Sequence, residues 1–241
     1  MNSGSAEYLV FEKTDDIWRF MEEKWSAISS SAIEKKGYFT AALSGGKTPV
    51  GFYEHLSTVR GLPWDKTHIF VVDERFVPPE SPDSNYGMLR KTLLSRISLP
   101  TKNIHPIATV EPSVIVSAEK YKKELKSLFN SSEGVLPEFD LVLLGVGEDG
   151  HTASLFPGTE ALKERERLVV PVMLGTALHD RITLTLPVIN HALNIFFLVS
   201  GRRKQAVMRK LRNGHDMTLP AAMVKPETGK VIFLMDREAA G

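Results

Sequence analysis

The stretch Phe139–Gly158, FDLVLLGVGEDGHTASLFPG, decides the fold. Its apolar run Leu141–Leu144 stands between an acid and a glycine, which is typical of a strand buried on both faces at the centre of a parallel sheet. The glycines Gly145, Gly147 and Gly150 then permit tight turns and close approach to a ligand. Because ligands bind at the carboxyl ends of such strands, the pattern predicts a central strand that ends in a functional loop.

The loop after this strand carries two carboxylates and an imidazole within four residues, Glu148, Asp149 and His151. Histidine is the side chain best suited to exchange protons near neutral pH, so general acid or base work is the natural role of His151. A neighbouring carboxylate such as Asp149 orients or charge-stabilises an imidazole. We therefore predict His151, Asp149 and Glu148 as catalytic residues.

Two other interpretations of this loop stay open at this point. Residues 145–150 match the pattern GxGxxG, but a pyrophosphate there would face two carboxylates, and no acid ends a strand about 20 residues on, where Val169 and Val170 stand. The second alternative is a surface turn whose acids are merely solvated. The combination of three glycines, two acids and a histidine after a central strand makes the surface-turn interpretation less favoured.

A glycine-rich turn follows an earlier strand, Phe39–Leu43. Thr48 as helix N-cap and Pro49 as the first helical residue would place free backbone N–H groups here, which favours an anion site. A Walker A loop would need glycine where Ala41 stands, so a nucleotide triphosphatase is not indicated. A turn without a ligand remains the alternative. The candidate anion-binding residues are Ser44, Gly45, Gly46, Lys47 and Thr48.

Charged residues also end the strand His68–Val72. Asp73 and Arg75 are predicted to point into the crevice at the strand ends, where the guanidinium would grip a phosphate. An internal ion pair among these residues is the alternative. Asn85, in the first turn of a helix capped by Ser84, is a candidate contact for a sugar hydroxyl.

Two later segments supply further cations. Arg181 stands at the start of a strand predicted over Ile182–Leu186, which follows another at Leu168–Val172. The apolar strand Ile195–Val199 leads into small residues and a cationic helix start, the anion-binding arrangement of the first turn again. We place Lys204 on the phosphate and count Arg181 among the binding residues.

The alternation of strands and helices predicts an α/β fold, a mostly parallel sheet with helices on both faces. Its first helix begins at Thr14 as N-cap and ends at Gly37, and its last strand spans Val231–Met235. A chain of 241 residues suits one large domain, so we expect a single domain over 1–241.

The composition limits partners and compartment. A net charge of +1 argues against a surface for nucleic acid or anionic membrane, and zero cysteines exclude disulfides, thiol catalysis and cysteine-ligated zinc. No apolar run approaches the roughly 18 residues of a membrane span. No signal pattern follows Met1–Ala6, which we interpret as a flexible leader. We expect a soluble, cytoplasmic monomer that requires neither cofactor nor metal.

The segment GVGEDGHTASLFPG resembles the signature of the 6-phosphogluconolactonases, a branch of the group that includes glucosamine-6-phosphate deaminases. The likeness covers most of the chain in the family's order. It continues through LSGGKTP at 43–49, VDERFVP at 72–78, SNYGM at 84–88, RITLTLPVIN at 181–190 and LPAA at 219–222.

This resemblance implies the Rossmann-like fold of the sugar-phosphate isomerases, deaminases and lactonases. It also implies hydrolysis of 6-phospho-D-glucono-1,5-lactone to 6-phospho-D-gluconate in the oxidative pentose phosphate pathway, so the expected partner is a small phosphosugar lactone. In that family the histidine of the GHTAS motif acts as base toward water, and an arginine and a lysine hold the phosphate. Those residues correspond here to His151, Arg75 and Lys204.

Two rival functions are weighed against this one. Sugar-phosphate deaminases typically show tyrosine where Arg75 stands and Asn-Glu where Pro157 and Gly158 follow Phe156. A sugar-phosphate sensor that binds without turnover has little use for a proton-transfer group such as His151. Ammonia release from glucosamine 6-phosphate would identify the first rival.

Overall fold

The computed structural model describes residues 6–130, 134–174, 179–214, 216 and 218–241. The leader expected over Met1–Ala6 lies largely outside these residues. The strands are β1 (Glu7–Phe11), β2 (Phe39–Leu43), β3 (Thr67–Val71), β4 (Asp73–Arg75), β5 (Ile104–His105), β6 (Leu141–Gly145), β7 (Val169–Val172), β8 (Arg181–Leu184), β9 (Asn194–Val199) and β10 (Lys230–Asp236). The α-helices are α1 (Thr14–Lys36), α2 (Val50–Leu56), α3 (Asn85–Thr92), α4 (Val114–Phe129), α5 (Glu160–Lys163), α6 (Leu186–Asn190), α7 (Gln205–Arg212) and α8 (Arg237–Ala240).

A seven-stranded sheet, here the central sheet, has the order β1-β10-β9-β6-β2-β3-β5 with every neighbouring pair parallel. Strand β6 is the fourth of the seven, and its residues Leu141–Leu144 are buried. The prediction of a central, doubly covered strand is therefore confirmed. Its continuous apolar run follows from burial on both faces of a parallel sheet.

Helices cover both faces of the central sheet, as two aromatic contacts demonstrate. Phe39 on β2 packs edge-on against Trp25 of α1, with ring centroids 5.1 Å apart. Phe70 on β3 is in register with Ala42, so its side chain points to the opposite face, where it contacts Tyr121 of α4 at 6.3 Å. The predicted α/β architecture is confirmed.

A second, smaller sheet of order β4-β8-β7, here the small sheet, was not predicted. Its strand pairs are antiparallel. The chain leaves the central sheet at Val72, whose N–H donates to Leu43 and whose carbonyl accepts from Leu184. Asp73 and Arg75 therefore lie on a separate strand and not at the tip of a central strand as expected.

Two predicted helix starts are wrong by one residue. Lys13, with extended backbone, takes the N-cap position of α1, so Thr14 is already helical, and the helix ends at Gly37 in the left-handed region as predicted. Helix α2 begins at Val50, because Lys47, Thr48 and Pro49 form a preceding turn closed by the Val50 N–H on the Lys47 carbonyl. The cap predicted for α3, Ser84, is confirmed, and Ser113 caps α4.

One continuous cluster of buried apolar side chains underlies both sheets and joins, for example, Leu143 of β6 to Ile182 of β8. The single domain expected over 1–241 stays a prediction. No helix within the described ranges is long and apolar enough to cross a membrane.

Candidate active site

A cleft of about 350 Å³ lies where β2, β4, β6 and β8 meet. Parallel strands present their carboxyl ends along one edge, so the loops after the neighbouring strands β2 and β6 lie side by side at the cleft. The lining residues are Ser44, Gly45, Gly46, Lys47, Thr48, Pro49, Asp73, Arg75, Asn85, Gly145, Val146, Gly147, His151, Ala153, Arg181 and Lys204.

The loop Ser44–Thr48 forms one wall of the cleft and presents unused backbone donors. The N–H groups of residues 45–48 donate to no other described residue. The Tyr53 hydroxyl donates to the Ser44 carbonyl at 2.7 Å and so holds the loop from behind. Converging free N–H groups are the usual backbone contribution to a phosphate site, and here they support an anion-binding role.

Gly45 is required by close packing within this wall. A Cβ atom built there would lie 1.8 Å from Oδ1 of Asn85. The Asn85 amide in turn donates to the Asp73 carbonyl at 2.8 Å. Asn85 thus ties the glycine loop to β4, in addition to lining the cleft.

The small sheet contributes two paired arginines to the cleft lining. Arg75 of β4 and Arg181 of β8 are directly paired across the antiparallel strands. Burial lowers the pKa of the Arg181 guanidinium, Asp73 opposes that shift, and Arg75 adds to it. Like charges opposed on adjacent strands repel each other, so this pair favours an anion between or above the two guanidinium groups. Arg75 Nη1 also donates to the Asp83 carbonyl at 2.7 Å.

Two buried carboxylates support the arginines. Asp73 lines the cleft, and burial raises the pKa of its carboxyl against the opposing hydrogen bond from Ser154 and the charges of Arg181 and Arg75. Glu74 faces away and accepts from the N–H groups of Arg75 and Asn85 through Oε1, at 2.8 and 2.7 Å. It fastens the start of α3 to β4. Burial raises the pKa of Glu74 as well, although backbone N–H donors oppose the shift.

His151 is oriented from two sides. Its Nδ1 lies 2.6 Å from Oδ1 of Asp149, and its ring packs on Phe156 with centroids 4.5 Å apart. Burial alone would raise the pKa of Asp149, but hydrogen bonds from the His151 backbone and ring hold it below the ordinary value. An ionised carboxylate only accepts, so Nδ1 carries the proton and Nε2 is left as the basic nitrogen.

The glycines of this loop are required by the same geometry. A Cβ on Gly147 would lie 2.1 Å from His151 Nδ1 and 2.5 Å from Asp149 Oδ1. Gly150 adopts φ +83°, and a Cβ there would meet Leu219 at 2.7 Å. Substitution at either position would displace the imidazole or the turn that carries it.

The structure brings eleven of the thirteen predicted site residues to the cleft. These are Ser44, Gly45, Gly46, Lys47, Thr48, Asp73, Arg75, Asn85, His151, Arg181 and Lys204. Asp149 stands behind the imidazole and not in the lining, while Glu148 is exposed and lies outside the lining. The roles assigned to all of these residues stay predictions.

Sequence reasoning did not single out Ala153, Ser154 or Phe156 as individual site residues. Ala153 lines the cleft with φ +52°, an unusual value for a residue with a side chain. Ser154 and Phe156 contact Asp73 and His151 from outside the lining. The only available signal was their place in the motif GHTASLFPG.

The fold and the cleft define a class, the α/β proteins with an anion-binding cleft at the carboxyl edge of a parallel sheet. Comparison with known proteins gives the family. The model of the glucosamine-6-phosphate isomerases/6-phosphogluconolactonase matches residues 12–233. The chain belongs to this family, which confirms the resemblance seen in its motifs.

Relatives agree along nearly the whole chain. The 6-phosphogluconolactonase of Nostoc sp. is 43% identical over 211 residues, which are 87% of this chain and 86% of the relative. The 6-phosphogluconolactonase of Rattus norvegicus is 35% identical over 241 residues, 96% of this chain and 91% of the relative. The solved 6-phosphogluconolactonase of Trypanosoma brucei has a TM-score of 0.86 at 30% identity and 98% coverage of both chains.

Proposed function

We propose that this protein hydrolyses 6-phospho-D-glucono-1,5-lactone to 6-phospho-D-gluconate in the oxidative pentose phosphate pathway, with His151 as general base toward water. The observation that carries the proposal is the shared cleft. His151, held at Nδ1 by Asp149, lines the same cavity as the cations Arg75 and Lys204. The family and its lactonase members support the substrate.

In the proposed reaction, Nε2 of His151 accepts a proton from water while the hydroxide adds to the lactone carbonyl. The tetrahedral intermediate carries its negative charge on the former carbonyl oxygen, which cations or N–H groups of the cleft stabilise. Collapse breaks the bond to the ring oxygen. The imidazolium returns its proton to that oxygen, and the products are a carboxylic acid and a hydroxyl group.

The phosphate is assigned to Arg75, Lys204 and the N–H groups of residues 45–48. Arg75 offers a planar fork of donors suited to phosphate, and Lys204 adds a compact positive charge. Lys204 lies at the end of a short 3₁₀ turn, Arg202–Lys204, before α7, whereas Arg202 and Arg203 are exposed. With the phosphate assigned to those groups, we assign Arg181 and Asp73 to contacts with the sugar and its reacting carbonyl.

The test is turnover of freshly made 6-phosphogluconolactone by His151→Ala, followed in a pH-stat or by coupled 6-phosphogluconate dehydrogenase. Loss of a general base lowers kcat by about a thousandfold. The matched control is His55→Ala. His55 is partly exposed and pairs with Glu22 outside the cleft, so its loss should leave turnover unchanged. Near-normal turnover by His151→Ala, after correction for spontaneous hydrolysis, would contradict the mechanism. Ammonia release from glucosamine 6-phosphate by the wild type would instead favour a deaminase.

We further propose that the enzyme acts as a monomer in the cytoplasm. The residues assigned to the base and the phosphate, His151, Arg75 and Lys204, already lie together in the cleft of a single chain, which supports a monomer. A chain with no cysteine gains nothing from an oxidising compartment. Light scattering that gives a mass near 26.8 kDa and recovery in the cytosolic fraction would agree with this proposal.

A further inference from the structure

Ser154 connects the histidine loop to the arginine strand inside the protein. Its side chain is fully buried, and Oγ donates to Oδ2 of Asp73 at 2.6 Å across 81 residues of sequence. The Ser154 N–H donates to Thr183 Oγ1 on β8 at 3.3 Å. Ser154 is thus fixed between the central and small sheets, with its hydroxyl committed to one carboxylate oxygen.

Asp73 both accepts the hydrogen bond from Ser154 and lines the cleft. Its carboxyl is buried at 6% exposure, yet the residue lines the cavity. No described residue donates a hydrogen bond to Oδ1, and Asp73 is part of the cleft lining. One oxygen of this carboxylate is therefore held by Ser154, while the other has no donor among the described residues in a side chain that lines the cavity.

The Ser154 hydroxyl is one of the groups around Asp73 that favour its ionised form. Burial raises its pKa, whereas the Ser154 hydroxyl and the positive charges of Arg181 and Arg75 lower it. Removal of the hydroxyl leaves the burial effect less opposed. The titratable groups that face Asp73 are Arg75, Arg181, His151, Glu74, Tyr53 and Tyr121.

We propose that Ser154 is a positioning residue that holds Oδ2 of Asp73, so that Oδ1 accepts a hydrogen bond from a hydroxyl group of the bound phosphosugar. An ionised carboxylate accepts only, which matches a sugar hydroxyl as donor. A protonated or rotated Asp73 would lose this acceptor. The inference rests on the proposed function for its substrate but concerns binding, and not the base His151.

The experiment compares wild type with Ser154→Ala and Ser154→Cys, which has similar volume but a weaker donor. The control Thr159→Ala removes a hydroxyl that follows the same loop and donates to the Phe156 carbonyl, outside the cleft lining. Affinity for 6-phosphogluconate is measured by calorimetry from pH 5 to 8, together with KM and kcat for the lactone. Thermal melting establishes that each variant is folded.

The expected result for Ser154→Ala is about a tenfold loss of affinity and a similar rise in KM, with kcat within threefold. Binding should also weaken at a higher pH than in wild type, because Asp73 is more readily protonated. Ser154→Cys should show a loss of affinity between those of wild type and Ser154→Ala. If Ser154→Ala does not fold, the affinity of Ser154→Cys is the test of the inference. Thr159→Ala should match wild type.

Wild-type affinity and an unshifted pH dependence in the folded Ser154 variants would overturn the inference. Equal losses in these variants and in Thr159→Ala would also overturn it, because they would report a general effect on the loop. A wild-type protein that binds 6-phosphogluconate but does not hydrolyse the lactone would reject the proposed function alone, since the binding comparison needs no turnover.

Discussion

At the scale of single residues, His151 and Asp149 form a unit set by two hydrogen bonds. Oδ1 of Asp149 accepts from the ring Nδ1 at 2.6 Å and from the His151 N–H at 3.1 Å. Because the pKa of Asp149 is held below its ordinary value, the carboxylate stays ionised near neutral pH and fixes one tautomer of the ring. The short spacing of the two residues suggested an orienting role from the sequence, and the structure supplies the contact itself.

Asp149→Asn should lower kcat roughly a hundredfold while KM changes little. The amide can present its N–H₂ group to Nδ1, which favours the tautomer that has its proton on Nε2 and no basic nitrogen in the cleft. The loss should be smaller than for a buried triad aspartate, because the Asp149 side chain is about half exposed.

Steady-state kinetics on the lactone measures this effect. Glu160→Gln is the control, since it removes an exposed carboxylate that pairs with Lys163 away from the cleft. If Asp149→Asn retained wild-type kcat, the orienting role would be wrong.

At the scale of elements, strand β6 carries the site because both of its ends are held. At its start, Asp140 Oδ2 accepts from the Thr40 N–H and hydroxyl, both at 2.8 Å, and from Lys36 Nζ at 2.9 Å. At its end, the Thr152 hydroxyl donates to the Gly145 carbonyl at 2.9 Å. The register of β6 against β2 therefore sets how the histidine loop faces the glycine loop.

Asp140→Ala should lower the free energy of unfolding by about 3 kcal/mol, because the buried N–H and hydroxyl of Thr40 lose their acceptor. Asp140→Asn keeps one acceptor oxygen and should lose less. Urea denaturation at neutral pH measures both.

The control is Lys36→Met, which removes only the partly exposed partner and should change stability by less than about 1 kcal/mol. An equal loss in Lys36→Met and Asp140→Ala would show that the ion pair, and not the Thr40 contacts, is what matters.

At the scale of the whole molecule, a histidine chain at the β3–β5 edge makes stability depend on pH. His68 Nδ1 lies 2.9 Å from His105 Nε2, and His105 Nδ1 lies 2.6 Å from Glu124. Burial, then the charges of His105, Lys102 and Lys36, lower the pKa of His68 to about 4. Burial also lowers the pKa of His105, although Glu124 opposes that shift.

A histidine whose pKa is lower in the folded protein takes up a proton at a higher pH in the unfolded chain than in the folded one. Its stabilisation is therefore complete above the unfolded pKa near 6.5 and is lost as the pH falls from 6.5 toward 4. Asp73 and Glu74, whose pKa values are raised, act in the opposite direction over the acidic range. Only a comparison with a variant isolates the histidine contribution.

Between pH 7.5 and 4.5, wild type should lose about 1 kcal/mol more unfolding free energy than His68→Gln, which has no titrating ring. This figure is discounted because His68 is only half-buried and solvent screens its charge. Urea denaturation at the two pH values measures the difference. Parallel losses in both proteins would contradict a role for this chain.

The sequence by itself determined the central sheet and most of the site. A continuous apolar run such as Leu141–Leu144 is stable only when buried, and glycines next to a histidine indicate a loop. Both patterns can be recognised because they involve residues adjacent in the chain. The serine cap of α3 and the parallel direction of the central strands follow from similar patterns along the chain, the second from the alternation of strands and helices.

Tertiary structure alone decided how distant segments meet. Asp73 and Arg75 lie in the small antiparallel sheet and not in the central sheet, because the Val72 backbone makes hydrogen bonds to both Leu43 and Leu184. No local sequence pattern predicts this change of sheet. The pairing of Arg75 with Arg181 and the bond from Ser154 to Asp73 span 106 and 81 residues. Such contacts depend on packing between the two sheets, and side-chain chemistry at one position does not specify its partner so far along the chain.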